Sequence, residues 1–204
     1  MRIPDDVFKA YDLRGIYGEG LDPESAYVLG RAFTRVISEL SGRPTGELRL
    51  GLGRDMRLTA PAMAAAYRDG MTAEGATVLD AGQVGTEMLY YLVGSRELDG
   101  GLMCTASHNP KAYTGAKLVR EGAIALSGDA GIGEMRDLVA AGLPAPTGPA
   151  GAVEEVDLYE EFQRAALAVI DPALVRPLKV VVDGGNGMAG AMVGPILRTL
   201  GLEL

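Results

Sequence analysis

Several features are scarce or missing in this chain, and each narrows what it can be. One cysteine, Cys104, stands in 204 residues, so no intrachain disulfide can form. Its place in the apolar run Gly101-Leu102-Met103-Cys104 predicts a buried, inert thiol. No Lys/Arg block occurs, and 27 acidic against 19 basic residues give a net charge of −8. That balance argues against nucleic acid and anionic membrane as partners. The opening Met1-Arg2-Ile3-Pro4-Asp5-Asp6 lacks a signal-peptide core. The longest uncharged stretch, Leu138 to Val153, is interrupted by Pro144, Pro146 and Pro149 and makes a poor membrane span. A cytoplasmic location is the expectation. There is no internal repeat, no low-complexity tract, no Asp-x-Asp-x-Asp metal cluster and no Gly-x-Ser-x-Gly nucleophile elbow.

Glycine is abundant instead, with 29 residues against a usual share of ~7%. Many tight loops between short elements follow. A hydrophobic content of 48% is ample for a core. Asp22-Pro23 reads as an N-cap and first helical position, with Leu21 as a staple. Ala26, Leu29, Phe33, Val36, Ile37 and Leu40 then recur at helical spacing. Leu48 to Leu52 alternates like a half-buried strand, and Thr59 can cap a second helix that ends near Gly75. Short strands at 76–79, 101–104, 116–119 and 123–126 are predicted, with helices opening at Thr86 and after Ser127 to Asp129. Alternating strands and helices define an α/β class with a mixed, largely parallel sheet flanked by helices. Residues 142–152 are rich in proline, glycine and alanine and read as a linker or long surface connection. Asp157 caps a further helix. Leu178 to Val182 resembles a strand buried on both faces, leading through Asp183 to Gly187 into a last helix.

Chemistry concentrates in a few places. Thr105-Ala106-Ser107-His108-Asn109-Pro110 follows the apolar run at 101–104. Proline fixes its own φ and extends Asn109, so the loop is stiff where it leaves the serine. Read alone, these six residues fit either a reactive hydroxyl on a rigid loop or an ordinary Asn-Pro turn. Arg54 ends one strand and Lys117 begins another, where Gly115 lets the backbone pass closely. Ligands bind parallel-type sheets at the carboxyl ends of strands, and a serine, a lysine and arginines at one rim suit phosphate.

Tyr11-Asp12-Leu13-Arg14-Gly15, Gly53-Arg54-Asp55, Thr105 to Pro110, Gly115 with Lys117, and Asp183 to Gly187 occur in this order along the chain. Together they resemble the α-D-phosphohexomutase family, most closely its phosphomannomutase/phosphoglucomutase branch. The resemblance implies a phosphoserine mutase acting on a phosphorylated hexose and moving phosphate between O6 and O1 through a bisphosphorylated sugar. Ser107 would carry the phosphoryl group, and Lys117 would serve as general base and acid, its plain alternative being a surface lysine on a strand. Tyr11 and Arg14 match residues near substrate, although a structural ion pair is an equal reading of Arg14. His108 and Asn109 would hold the loop and contact phosphate. Arg54, through ion pairs or backbone carbonyls, and Asp55 would brace it. Thr114 and Ala116 depart from the family's usual asparagine and aromatic.

The resemblance also implies Mg2+, with the phosphate on Ser107 as the one ligand this chain offers, and a hexose bisphosphate as activator. Residues 1–141 would form the first family domain, 142–156 a linker and 157–204 the incomplete start of a second, similar domain. Four-domain relatives are more than twice as long, which implies an N-terminal portion inactive by itself. Its partners would be the missing C-terminal domains, or another copy through exposed second-domain residues such as Val180, Val182 and Leu197. The alternative function is a non-catalytic phosphate-binding or interaction module that keeps the fold.

Overall fold

A computed structural model describes residues 3–204. Its elements alternate as the pattern predicts: β1 (Asp12–Ile16), α1 (Pro23–Ser41), β2 (Arg49–Arg54), α2 (Ala60–Ala73), β3 (Thr77–Gln83), α3 (Thr86–Ser95) and β4 (Gly100–Cys104). After these come β5 (Tyr113–Arg120), β6 (Ile124–Ala125), α4 (Ile132–Ala141), β7 (Val153–Glu155), α5 (Tyr159–Leu167) and α6 (Ala189–Thr199). The α1 boundary is written in local chemistry. Asp22 is extended and accepts from the Ser25 amide at 2.8 Å, while Ser25 Oγ accepts from the Asp22 amide at 2.8 Å, a reciprocal cap. Gly42, at φ 67°, ends the helix.

One sheet runs in the order β1-β5-β4-β2-β3-β7, with β6 attached to β5. Strands β4, β2, β3 and β7 are parallel, while β5 runs antiparallel to both β4 and β1. The mixed, largely parallel sheet expected from the sequence is therefore present. Leu13, Leu50, Leu52, Leu102, Cys104, Ala116 and Leu118 face a core shared with α1, α2 and α4. Leu79, Met103 and Val119 face a second core with α3. Alternation along each strand, period two, produces this division. β4 is buried along its whole length, so the loop that leaves it starts from the packed interior.

Three segments differ from the sequence reading. Residues 12–16, most of them in a motif to which no strand was assigned, form β1. Residues 142–156, read as a linker, are bonded onto the domain: Arg31 and Arg35 both donate to the Pro144 carbonyl, the Gly151 amide donates to the Thr72 carbonyl at 2.8 Å, and β7 pairs with β3. Residues 178–182 form no ladder. A single bridge joins Lys179 to Glu203, and Leu178, Val181 and Val182 are exposed, Val181 by 90%. An apolar run becomes a strand only when neighbours bond to it, and here it has one bridge.

The α5 segment is docked on the first sheet. Leu158 is fully buried in the α3-side core, with Phe162 and Met192 packed against it. Phe162 meets Tyr91 edge to face, with centroids 5.8 Å apart. Glu161 accepts from Arg96 Nη2 at 2.6 Å and from Tyr91 Oη at 3.0 Å.

Candidate active site

Strand β4 ends in pairing with β5, and the Thr105 amide donates to the Gly115 carbonyl at 3.0 Å before the chain turns away. The turn is built from short-range bonds. Asn109 donates to the Ala106 carbonyl through both its amide (3.1 Å) and its side-chain Nδ2 (2.8 Å), and the Tyr113 amide donates to the Pro110 carbonyl at 3.0 Å. Ser107 sits at φ 52°, a left-handed conformation uncommon for a residue with a Cβ. Its amide donates to Thr105 Oγ1 at 2.9 Å, and Thr105 Oγ1 in turn donates to Asp55 Oδ2 at 2.7 Å. The Ser107 hydroxyl itself lies 3.5 Å from His108 Nδ1, the outer limit of a hydrogen bond. Serine and imidazole are both exposed, so the hydroxyl is presented outward.

The loop's carbonyls are gathered by Arg57. Its Nη1 donates to the carbonyls of Pro110 (3.0 Å) and Tyr113 (3.2 Å), and its Nη2 to those of Ser107 (2.8 Å) and Asn109 (2.6 Å). Nε lies 3.4 Å from Asp55 Oδ2, and the Arg57 amide donates to Asp55 Oδ1 at 3.0 Å. Sequence reasoning expected Arg54 in this position. Arg54 donates to Gln83 Oε1 at 3.1 Å instead. Against β3 the register slips by one residue here, the extra residue lying between Asp80 and Gln83, which brings Gln83 opposite Arg54. Thr105 lay in the loop singled out, but neither it nor Arg57 was assigned a role. The available signal was the Asp-x-Arg spacing of Asp55 and Arg57, which places an arginine on the turn beyond the strand.

Asp12, Arg14 and Lys117 form a second group. Register pairs Asp12 directly with Lys117 and Arg14 with Gly115, so the three side chains share one sheet face. Gly115 permits this contact, because a Cβ there would stand 2.0 Å from the Leu13 carbonyl oxygen. Arg14 forms an ion pair with Asp12, and its Nε is buried without a hydrogen-bond partner among the described residues. Tyr11, just before β1, is 69% exposed.

A cleft of about 1340 Å³ opens beside the loop. Ser107, His108, Asn109, Asp55 and Arg57 line one wall, and Asn186, Met188, Met192 and Ile196 the other. Tyr11, Arg14, Arg54 and Lys117 are not part of this lining. The structure thus brings together the serine loop and its braces, with the β1–β5 cations as a separate set. Cys104 lies beneath, and burial pushes its thiol up to about 12, with the nearby Asp55 carboxylate adding to the rise. It takes no part as a thiolate.

The donor set for a metal was tested on these side chains. Among the described residues, no three His, Cys, Asp or Glu side chains gather to hold an ion. Asp55, the carboxylate of the loop's own brace, is already engaged by Thr105 and Arg57. The residues present do not fit Mg2+ on their own. Among the described residues, no helix is long and apolar enough to cross a membrane.

Residues 5–139 match the family described as phosphoglucomutase/phosphomannomutase, alpha/beta/alpha domain I. A phosphomannomutase of Vibrio cholerae is 38% identical over 186 residues, covering 91% of this chain and 40% of the relative. A phosphoglucomutase of Neisseria meningitidis serogroup B is 38% identical over 199 residues, covering 98% and 41%. The crystal structure of a phosphoglucomutase/phosphomannomutase family protein from Burkholderia thailandensis matches with a TM-score of 0.88 and 33% identity, over 100% of this chain and 44% of that one. The chain therefore spans about two fifths of the length of the relatives it matches.

Proposed function

Because the chain belongs to the phosphoglucomutase/phosphomannomutase family, we propose that Ser107 is the phosphoryl carrier of a hexose-phosphate mutase. The observation that carries this reading is the presentation of Ser107. Its amide and carbonyl are both bonded, at 2.9 Å and 2.8 Å, while its hydroxyl points to a cleft with a single neighbour at 3.5 Å. A phosphoryl group needs positioning and charge neutralisation more than covalent assistance from the protein.

In the forward step, a free hydroxyl oxygen of the hexose phosphate attacks phosphorus on Ser107. The new O–P bond forms as the P–Oγ bond breaks, and the hydroxyl proton passes to Lys117. The bisphosphate then turns over. Ser107 Oγ attacks its other phosphorus, the sugar O–P bond breaks, and the released oxygen takes a proton back from Lys117. Phosphate has moved between O6 and O1. A phosphoserine carries about −1.5 to −2 charges. In a chain of net charge −8, the neutralising field has to be local. Lys111, which lines the cleft with Ser107, contributes to it.

The test is single-turnover loading, with glucose 1,6-bisphosphate or mannose 1,6-bisphosphate and Mg2+, of this chain carried within a full-length protein. Intact-mass analysis with fragment localisation should find one phosphoryl group, on Ser107, and none in Ser107→Ala. Bisphosphate binding without transfer, or transfer to another residue, would refute the carrier role. Binding alone would favour a non-catalytic phosphate-binding module.

A further inference from the structure

We propose that Arg57 is a positioning residue for transfer at Ser107, fixing the backbone from which the hydroxyl projects. This rests on the carrier reading of Ser107. An arginine side chain has five N–H groups in one rigid plane, and here each has a destination. The four Nη hydrogens go to the carbonyls of Ser107, Asn109, Pro110 and Tyr113, and Nε faces Asp55. Three of these carbonyls lie in the turn, and the fourth, of Tyr113, opens β5 beyond its last pairing with β4, so the guanidinium bonds the loop where β4 has ended.

The effect on Ser107 is specific. The peptide group before its Cα is held through the Ser107 amide by Thr105. The peptide group after it is held through the Ser107 carbonyl by Arg57. With both peptide planes clamped, φ and ψ are determined and the hydroxyl keeps one free rotation, about χ1. Both clamps return to the same carboxylate oxygen, Asp55 Oδ2, at 2.7 Å from Thr105 Oγ1 and 3.4 Å from Arg57 Nε. Asp55 in turn is tied to the sheet, its amide donating to the Cys104 carbonyl at 3.0 Å. The left-handed φ of Ser107, uncommon for a serine, is thereby held against relaxation. Lysine at position 57 would keep the charge but offer three donors on a flexible stem, too few for four carbonyls and without their planar arrangement.

The experiment compares wild type with Arg57→Lys and Arg57→Ala, each carried within the same full-length protein, in three measurements. Hydrogen exchange at the Ser107 and Asn109 amides should quicken in both variants, while the β4 amides and the thermal midpoint stay near wild type. The single-turnover rate of Ser107 phosphorylation by glucose 1,6-bisphosphate should fall by about 100-fold, with half-saturation little changed, as expected for a displaced nucleophile. Guanidinium ion at millimolar concentration should restore part of the rate to Arg57→Ala, and methylammonium should not. Wild-type loop exchange or wild-type transfer in Arg57→Lys would overturn the assignment and leave the carrier reading intact. A wild-type chain that takes no phosphoryl group at Ser107 would overturn the carrier reading, and this assignment with it.

Discussion

Replacing Gly115 by alanine tests how the β1–β5 pair places Arg14 and Lys117. The added Cβ would meet three backbone atoms: the Leu13 carbonyl oxygen at 2.0 Å, the Leu13 carbonyl carbon at 3.0 Å and Arg14 Cα at 3.1 Å. None is the tip of a flexible side chain, so β1 as a whole has to move. Ordinary overpacking costs about 1–3 kcal/mol, which sets the lower bound. If β1 leaves the sheet, Leu13 loses its burial, worth about 2 kcal/mol. Its ladder hydrogen bonds, at about 1 kcal/mol each, are largely offset by the 1–2 kcal/mol of backbone entropy that each released residue regains. We therefore expect a loss of about 3 kcal/mol in urea denaturation, a large share of the roughly 5–15 kcal/mol available to a domain. The β1 amides should lose protection in hydrogen exchange while those of β2 and β4 keep theirs. Gly148→Ala, where a Cβ meets nothing within 4 Å, is the control and should change stability by less than about 0.5 kcal/mol. A Gly115→Ala chain within 1 kcal/mol of wild type, with β1 still protected, would refute the argument.

Cys104 should resist thiol reagents at pH 8 in the native chain and react fully in urea, as followed with a chromogenic disulfide. Its thiol is raised from 9.0 to about 12, so the folded state keeps the proton that the unfolded state releases first. Stability should be intact below pH 9 and fall as pH rises from 9 toward 12, with a shallower fall in Cys104→Ala, measured by denaturation at stepped pH. Glu161 is held below the usual carboxylate range, first by its hydrogen bonds from Arg96 and then by Tyr91. Its contribution is present above the ordinary carboxylate range and lost as pH falls through its lowered value. Glu161→Gln should loosen α5 by about 0.2–1 kcal/mol, seen as faster proteolysis within 157–168. Amides of residues 178–182 should exchange far faster than those of β4, and protection equal to β4 in a monomer would contradict the exposed tail.

Much of this arrangement was legible. The α1 cap, the helical spacing behind it and the apolar run of β4 each state a local preference that the tertiary structure keeps. The Ser107 loop was legible because proline and the preceding strand restrict it from both sides. β1 was not, since Asp12-Leu13-Arg14-Gly15-Ile16 has one residue, Leu13, in the core and charges on its other face; pairing with β5 makes it a strand. The 142–156 segment was misread because proline, glycine and alanine suit a free connection and a bonded strap equally well. What ties it down are Arg31 and Arg35, more than a hundred positions away in sequence. At 178–182 the error ran the other way, an apolar run promising a strand where a single bridge, to Glu203, forms. Arg54 closes β2 and Arg57 stands three positions beyond it, and composition cannot tell which of the two reaches the loop.

The pairing of Asp12 with Lys117 also has a consequence in time. A chain made from its amino terminus exposes Asp12, Leu13 and Arg14 early. The strand they belong to has no partner until β5 has been synthesised, about a hundred residues later. Until then Leu13 has no core to enter and Arg14 no defined direction. The amino-terminal cation of the site is among the first residues made and among the last to be placed, so this edge of the sheet is completed by the chain's return rather than by its beginning.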